Sequence, residues 1–258
     1  MTKQTAPDTG GCELVTSSEF YSLSVLLTAT DAEVLGPFAG PDALPAYQHG
    51  PRWDVRPATS LGEDDYFDLA IVLCANSAQF AASAQVAKGL ASRRNLTTLL
   101  IPAAFAPEIA VKGVTVLGVP GDLAHGLAIL GIIVLAATQH DGNVCCDLAD
   151  IITVLDAGVS GELFACEALT PKEAIAGLQW EMRHIAPGSG YGGVLTLQNG
   201  RLRDWYILMN MVKDFVHEDA MVVGSHPLRD GESVRAAALV ITVPSEHYIG
   251  RLPVNRLT

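Results

Sequence analysis

Two carboxylates three residues apart, Asp147 and Asp150 in the run CDLADII (Cys146–Ile152), come nearest to a catalytic spacing in this chain. A carboxylate pair can orient and deprotonate a water molecule, provided an electrophile is delivered to it. The same spacing has a purely structural use. An Asp at a helix cap accepts from a backbone N–H two or three residues on, and an acidic residue in the first turn suits the helix dipole. Asp147 stands directly before a helical pattern that begins at Leu148. Capping, worth about 1 kcal/mol, is therefore the preferred reading.

A second locus is Asp68–Ala84, DLAIVLCANSAQFAASA, which predicts a buried strand, a short turn and the start of a helix. That geometry gathers backbone N–H groups and is a common seat for a phosphate. Its turn, Ala75-Asn76-Ser77-Ala78, contains no glycine. A backbone that wraps a phosphate closely needs positions without Cβ. Ser77 is a lone hydroxyl with no base nearby in sequence, so it reads as a helix cap and not as a nucleophile.

Other constellations carry less. Gly188–Gly193, GSGYGG, satisfies G-x-G-x-x-G but follows a helix and opens a strand, the reverse of a dinucleotide loop. It reads as a loop giving flexible entry to the sheet. None of the seven histidines is spaced with a carboxylate or cysteine as a metal site requires. The five cysteines include no C-x-x-C pair, and Cys145 and Cys146 are adjacent, so reduced thiols in a cytoplasmic protein are expected. There is no G-x-S-x-G elbow. No metal or cofactor is expected.

The chain has 258 residues, 49% of them hydrophobic, and a formal net charge of -12. An acidic chain with no basic run longer than Arg93-Arg94 is poorly suited to nucleic acid. The polar start, MTKQTAPDTGG, lacks the apolar core of a signal peptide and reads as a disordered arm. Leu123–Ala137 is apolar but shorter than the roughly 20 residues a bilayer requires. It predicts a helix buried on nearly all sides.

The elements that must position these residues follow from hydrophobic periodicity. Strands are predicted at Ser22–Thr28, near Val55, at Leu69–Cys74, Leu96–Ile101 and Val114–Val119, with a helix over Gln79–Ser92. Nearly all-apolar strands alternating with helices imply a parallel sheet covered on both faces. A helix over Asp122–Gln139, a turn at His140–Asn143 and a helix from Leu148 to Gly158 come next. Then come a strand at Glu162–Leu169, a helix capped by Thr170 with Pro171 at its first position, and a strand at Val194–Leu197. A helix burying Trp205, Leu208, Met209, Val212 and Phe215 precedes strands at Met221–Ser225 and Ser233–Val243, which Asp230-Gly231 would join as a hairpin.

That order resembles the tubulin/FtsZ superfamily. Tyr66–Phe105 is similar to the FtsZ segment that carries its glycine-rich signature loop, and CDLADII is similar to the acidic synergy loop after the central helix. Gly192–Asn199 and Ala220–Val243 are similar to its last strands, so the likeness runs from about Phe67 to Val243. The departures matter as much. Ala75-Asn76-Ser77-Ala78-Gln79-Phe80-Ala81 stands where the family has G-G-G-T-G-T-G, and the ring of Phe80 is expected where a phosphate would lie. The family's other phosphate turn falls at Thr28-Ala29-Thr30-Asp31, whose Asp31 would repel a triphosphate. By resemblance Asp147 and Asp150 occupy the family's two acidic positions, and Cys145 replaces its Asn.

The expected fold is α/β: a Rossmann-like parallel-sheet N-terminal domain, a long central helix and a smaller α+β C-terminal domain. The expected boundaries are a disordered arm over 1–17, a degenerate nucleotide-binding-type domain over 18–120, and the central helix with its loop over 121–145. The C-terminal domain follows over 146–245 and a tail over 246–258. The resemblance implies a degenerate, bacterial FtsZ-like structural protein, cytoplasmic, without GTPase activity. Its partners would be a second copy, as dimer or filament, and other division or cytoskeletal proteins. One alternative is an assembly-dependent GTPase that uses Asp147 and Asp150. Another is a peripheral membrane scaffold docking through the tail.

Overall fold

A computed structural model describes residues 23–40, 44, 52–93, 96–105, 111–136, 144, 146–227 and 232–244. The expected arm and tail, the turn at His140–Asn143 and Cys145 lie outside the described residues. The strands are β1 (Ser24–Ala29), β2 (Arg52–Val55), β3 (Leu69–Leu73), β4 (Leu96–Pro102), β5 (Thr115–Val119), β6 (Gly158–Ala168), β7 (Gly190–Gln198), β8 (Val216–Ser225) and β9 (Val234–Pro244). The α-helices are α1 (Phe80–Ser92), α2 (Leu123–Ala136), α3 (Leu148–Asp156), α4 (Pro171–Glu181) and α5 (Leu202–Phe215).

The nine strands among the described residues form one sheet in the order β2-β1-β3-β4-β5-β6-β9-β7-β8. Pairing is parallel from β2 through to β6, β9 lies antiparallel between β6 and β7, and β7 and β8 are again parallel. Strands β3 and β5 are buried along their whole length, as apolar strands covered on both faces must be. One face carries α2 and α3 over a core that runs through both halves of the molecule, from Leu27 and Leu100 to Ile133, Val154 and Leu239. The other face holds two separate clusters. One lies under α1 around Val72, Ala87 and Leu99, the other under α4 and α5 around Leu178, Leu208 and Val240.

Helix α2 lies against the middle of the sheet with Leu127, Ile129, Leu130 and Ile133 buried, but Ala124, His125 and Ala128 are exposed, so it is not enclosed on nearly all sides. Gly126 lets it come close: a Cβ there would sit 2.2 Å from Val119 Cγ1 on β5. No helix among the described residues is long and apolar enough to cross a membrane. The sheet is unbroken across the boundary expected between the domains, but the seam is narrow. β5 meets β6 only at Val116↔Ser160, Leu117↔Gly161 and Gly118↔Glu162, whereas β6 pairs with β9 from Gly158 to Ala168.

Two further expectations are corrected. The strands flanking Asp230-Gly231 do not form a hairpin, since β9 inserts between β6 and β7 while β8 lies at the sheet edge. Burial explains the order. β9 is buried from Ala236 to Ile241 and belongs inside a sheet, whereas β8 carries the exposed Glu218 and Asp219. The glycine run at Gly188–Gly193 is not an entry loop, because Gly190, Gly192 and Gly193 lie within β7 and are buried there.

Candidate functional site

The C-terminal ends of β1 and β3 lead into the two turns that would cradle a phosphate. After β1, Asp31 caps a 3-10 turn over Ala32–Phe38, and its Oδ1 accepts from Glu33 N at 3.0 Å. After β3, Asn76 caps the turn Ser77–Gln79 that leads into α1, and its Oδ1 accepts from Gln79 N at 3.1 Å. The cap is thus Asn76, and Ser77 is an exposed residue of the turn. The two loops are joined to each other. Gln79 Nε2 donates to Asp31 Oδ2 at 3.2 Å, and Thr30 Oγ1 lies 3.4 Å from Ser83 Oγ on α1.

This arrangement engages two of the backbone N–H groups of the turns and ties the loops together. The N–H groups of Glu33 and Gln79 already have side-chain acceptors, and a carboxylate stands between the loops. Ala75, Asn76, Ser77 and Ala78 supply no Cβ-free position. Phe80 is half-buried and packs against the cluster under α1, so Asp31 and Gln79, not its ring, bridge the two loops. Beneath the turn, Cys74 Sγ donates to Asn76 O at 3.2 Å, and burial pushes its thiol above the ordinary range.

Asp147 and Asp150 form a complete capping box at the start of α3. Asp150 N donates to Asp147 Oδ1 at 2.9 Å, and Asp147 N donates to Asp150 Oδ2 at 3.1 Å. Asp147 is exposed and Asp150 half-buried. Helix α3 packs on β6, β7 and β8. Val144, just upstream, accepts from His226 N at 2.8 Å beyond the end of β8. The cradle belongs to β1 and β3. The strands under α3 lie three to six steps from β3, about 14–29 Å at ~4.8 Å per step, so the acidic pair stands aside from the cradle of its own chain.

Among the described residues no group of three or more His, Cys, Asp or Glu is placed to hold a metal ion. One cluster was not read from the sequence. Beside β2, a cleft of about 410 Å³ is lined by residues including Trp53, Arg56, Asp65, Tyr66 and Phe67. Arg56 lies over the Phe67 ring at 5.4 Å and between two carboxylates. Its Nη2 is 3.0 Å from Asp65 Oδ2, and its Nε is 3.2 Å from Asp54 Oδ2 as an ion pair without hydrogen-bond alignment. The Gly62 N–H, donating to Asp65 Oδ2 at 2.7 Å, and then Arg56 hold the Asp65 carboxyl below its ordinary range. Arg56 and Asp65 stand nine residues apart in a segment rich in Gly, Pro and Asp. Only the alternation of β2, which sets Arg52 and Asp54 on one face, could have pointed to them.

The fold defines an α/β protein built on one mixed sheet with a helix across its middle. No protein-family model matches the chain, and no curated protein does. Solved structures do. A mutant of FtsZ from M. jannaschii aligns with a TM-score of 0.61 at 13% identity, over 86% of this chain and 92% of that one. An empty FtsZ dimer from M. jannaschii aligns at 0.59 and 11% identity, over 86% of this chain and 89% of that one. CetZ2 from Haloferax volcanii, solved as a GTPgS-bound protofilament, aligns at 0.57 and 11% identity, over 88% and 95%. The chain has the tubulin/FtsZ fold.

Proposed function

We propose that this chain is a self-associating structural protein of the tubulin/FtsZ fold that neither binds nor hydrolyses GTP. The observation that carries this reading is the Asp31–Gln79 bridge, with Asn76 capping the same turn. The protein's own carboxylate and amides occupy the donors that a phosphate would use, and no glycine gives the backbone room for one. The occurrence of structural neighbours as a dimer and as a protofilament supports self-association. Because the cradle is closed from within, contacts between copies do not depend on a nucleotide. Such a protein works as a scaffold in the cytoplasm, alone or with other division or cytoskeletal proteins.

Calorimetric titration with GTP and GDP tests the first half of this reading, and no binding heat is expected. Phosphate release measured as protein concentration rises tests the second. Release that accelerates with assembly and is lost in Asp150→Ala would replace this reading with an assembly-dependent GTPase using Asp147 and Asp150.

A further inference from the structure

Asn199 and Gly200 form the only Asn–Gly pair in the chain, at the turn that leads from β7 to α5. The fold demands both residues. Asn199 has a φ of 61°, the only positive value at a residue other than glycine among the described residues. Asparagine accepts that region more readily than most side chains. Its Nδ2 donates to Ser233 O at 2.8 Å, one residue ahead of β9. Gly200 is required for room, because a Cβ there would lie 2.5 Å from Leu197 Cδ2. The Gly200 carbonyl accepts from Nε2 of His226, buried just beyond β8, at 2.9 Å.

An asparagine followed by glycine is also a reactive pair, because no Cβ shields the backbone nitrogen that attacks the side-chain amide. The Gly200 nitrogen gives up its proton and bonds to Asn199 Cγ. The Cγ–Nδ2 bond breaks, and Nδ2 takes a proton and leaves as ammonia. Water then opens the cyclic imide at one carbonyl or the other, leaving aspartate or isoaspartate. Water is the sole co-reactant, and nothing is oxidised or reduced. In the folded turn the amide is engaged by Ser233, 34 residues on, and His226 holds the next carbonyl. Ring closure has to break the first bond and disturb the second.

We infer that Asn199 is a self-modification site that the folded turn holds shut. Local opening of the turn exposes it. Conversion then works against reclosure, since an ionised carboxylate has no hydrogen to give Ser233 O and sets a negative charge beside that carbonyl. A molecule whose turn has opened is thereby marked, irreversibly and without an enzyme.

The test follows conversion at Asn199 by peptide mass spectrometry, with the full chain held at mildly alkaline pH in urea from zero to just below unfolding. A synthetic peptide of residues 195–203 gives the unrestrained rate. The folded chain is expected to convert at least about tenfold more slowly than the peptide, as two hydrogen bonds hold the turn. Its rate is expected to climb with urea. His226→Leu, which removes the donor to Gly200 O, is expected to convert about fivefold faster than the wild type. Converted protein, separated by its extra negative charge, is expected to unfold at lower urea than unconverted protein.

A folded chain that converts as fast as the peptide, or a peptide that does not convert, overturns the proposal. A slow rate that urea leaves unchanged overturns it too, and this series on the wild type decides the matter if His226→Leu does not fold. Converted protein as stable as the unconverted would show that the amide does not hold the turn, and would also overturn it.

Discussion

The cradle after β1 and β3 and the acidic pair before α3 share local side-chain caps, and the cradle adds one side-chain bond between its loops. In both, an Asp or Asn side chain satisfies the chain's own backbone N–H groups. At α3 the partners are three residues apart and the device serves one helix. At the cradle Gln79 reaches Asp31 across 48 residues and ties two loops together. A local cap involves one turn only, whereas a bridge between loops fixes the two loops against each other. The two regions thus look alike residue by residue and differ in how far their bonds reach.

The strongest way to test whether these regions belong to one unit acts on the helix between them. Gly126→Ala should drive a methyl into Val119 and lower stability by about 2 kcal/mol, in a urea transition that coincides by tryptophan fluorescence and far-ultraviolet circular dichroism. Two separate transitions would mean that the halves fold apart despite their shared core. Next in size is the local cap. Asp147→Ala should cost about 1 kcal/mol, while Asp147→Asn, still a good cap, should cost much less. Phosphate release should stay at background in both.

Asp31→Ala removes the bridge and should cost about 0.5–1 kcal/mol by urea titration, since the site is half-exposed. A loss above that of Asp147→Ala would show that the bridge supports more than its loops. Beneath it, Cys74 should be alkylated more slowly than the unfolded chain, because its raised pKa and burial keep the thiolate scarce. Peptide mass spectrometry reads this at Cys74, and added GTP should not change the rate.

The smallest effect is expected at Asp65. Its folded pKa is lowered, so its contribution is present above its ordinary value of 3.8 and is lost as pH falls through the lowered one. Asp65→Asn should therefore flatten the acid limb of the stability profile and leave its shape above neutrality unchanged.

What was legible in the sequence follows the same division between near and far. The capping box at Asp147 and the Thr170-Pro171-Glu173 helix start could be read because their partners lie within one turn. The core strands could be read because an unbroken apolar run fits a sheet covered on both faces, as at Leu69–Leu73. The sequence places Asp31 in the turn after β1, but its bond to Gln79 depends on two strands lying side by side. The turn signal at Asp230-Gly231 pointed to a hairpin, and the demand of β9 for burial on both faces overrode it. Glycines in the run from Gly188 were read as freedom. Most of them instead make room: a Cβ at Gly190 would lie 2.9 Å from side chains of Val216 and Val240.

The unbroken sheet has a geometrical consequence. Neighbouring strands are turned against each other by roughly 20–25° in a fixed sense, so eight steps accumulate on the order of half a revolution between β2 and β8. The helices packed near one margin therefore face a direction well turned from those near the other, although they cover the same continuous sheet.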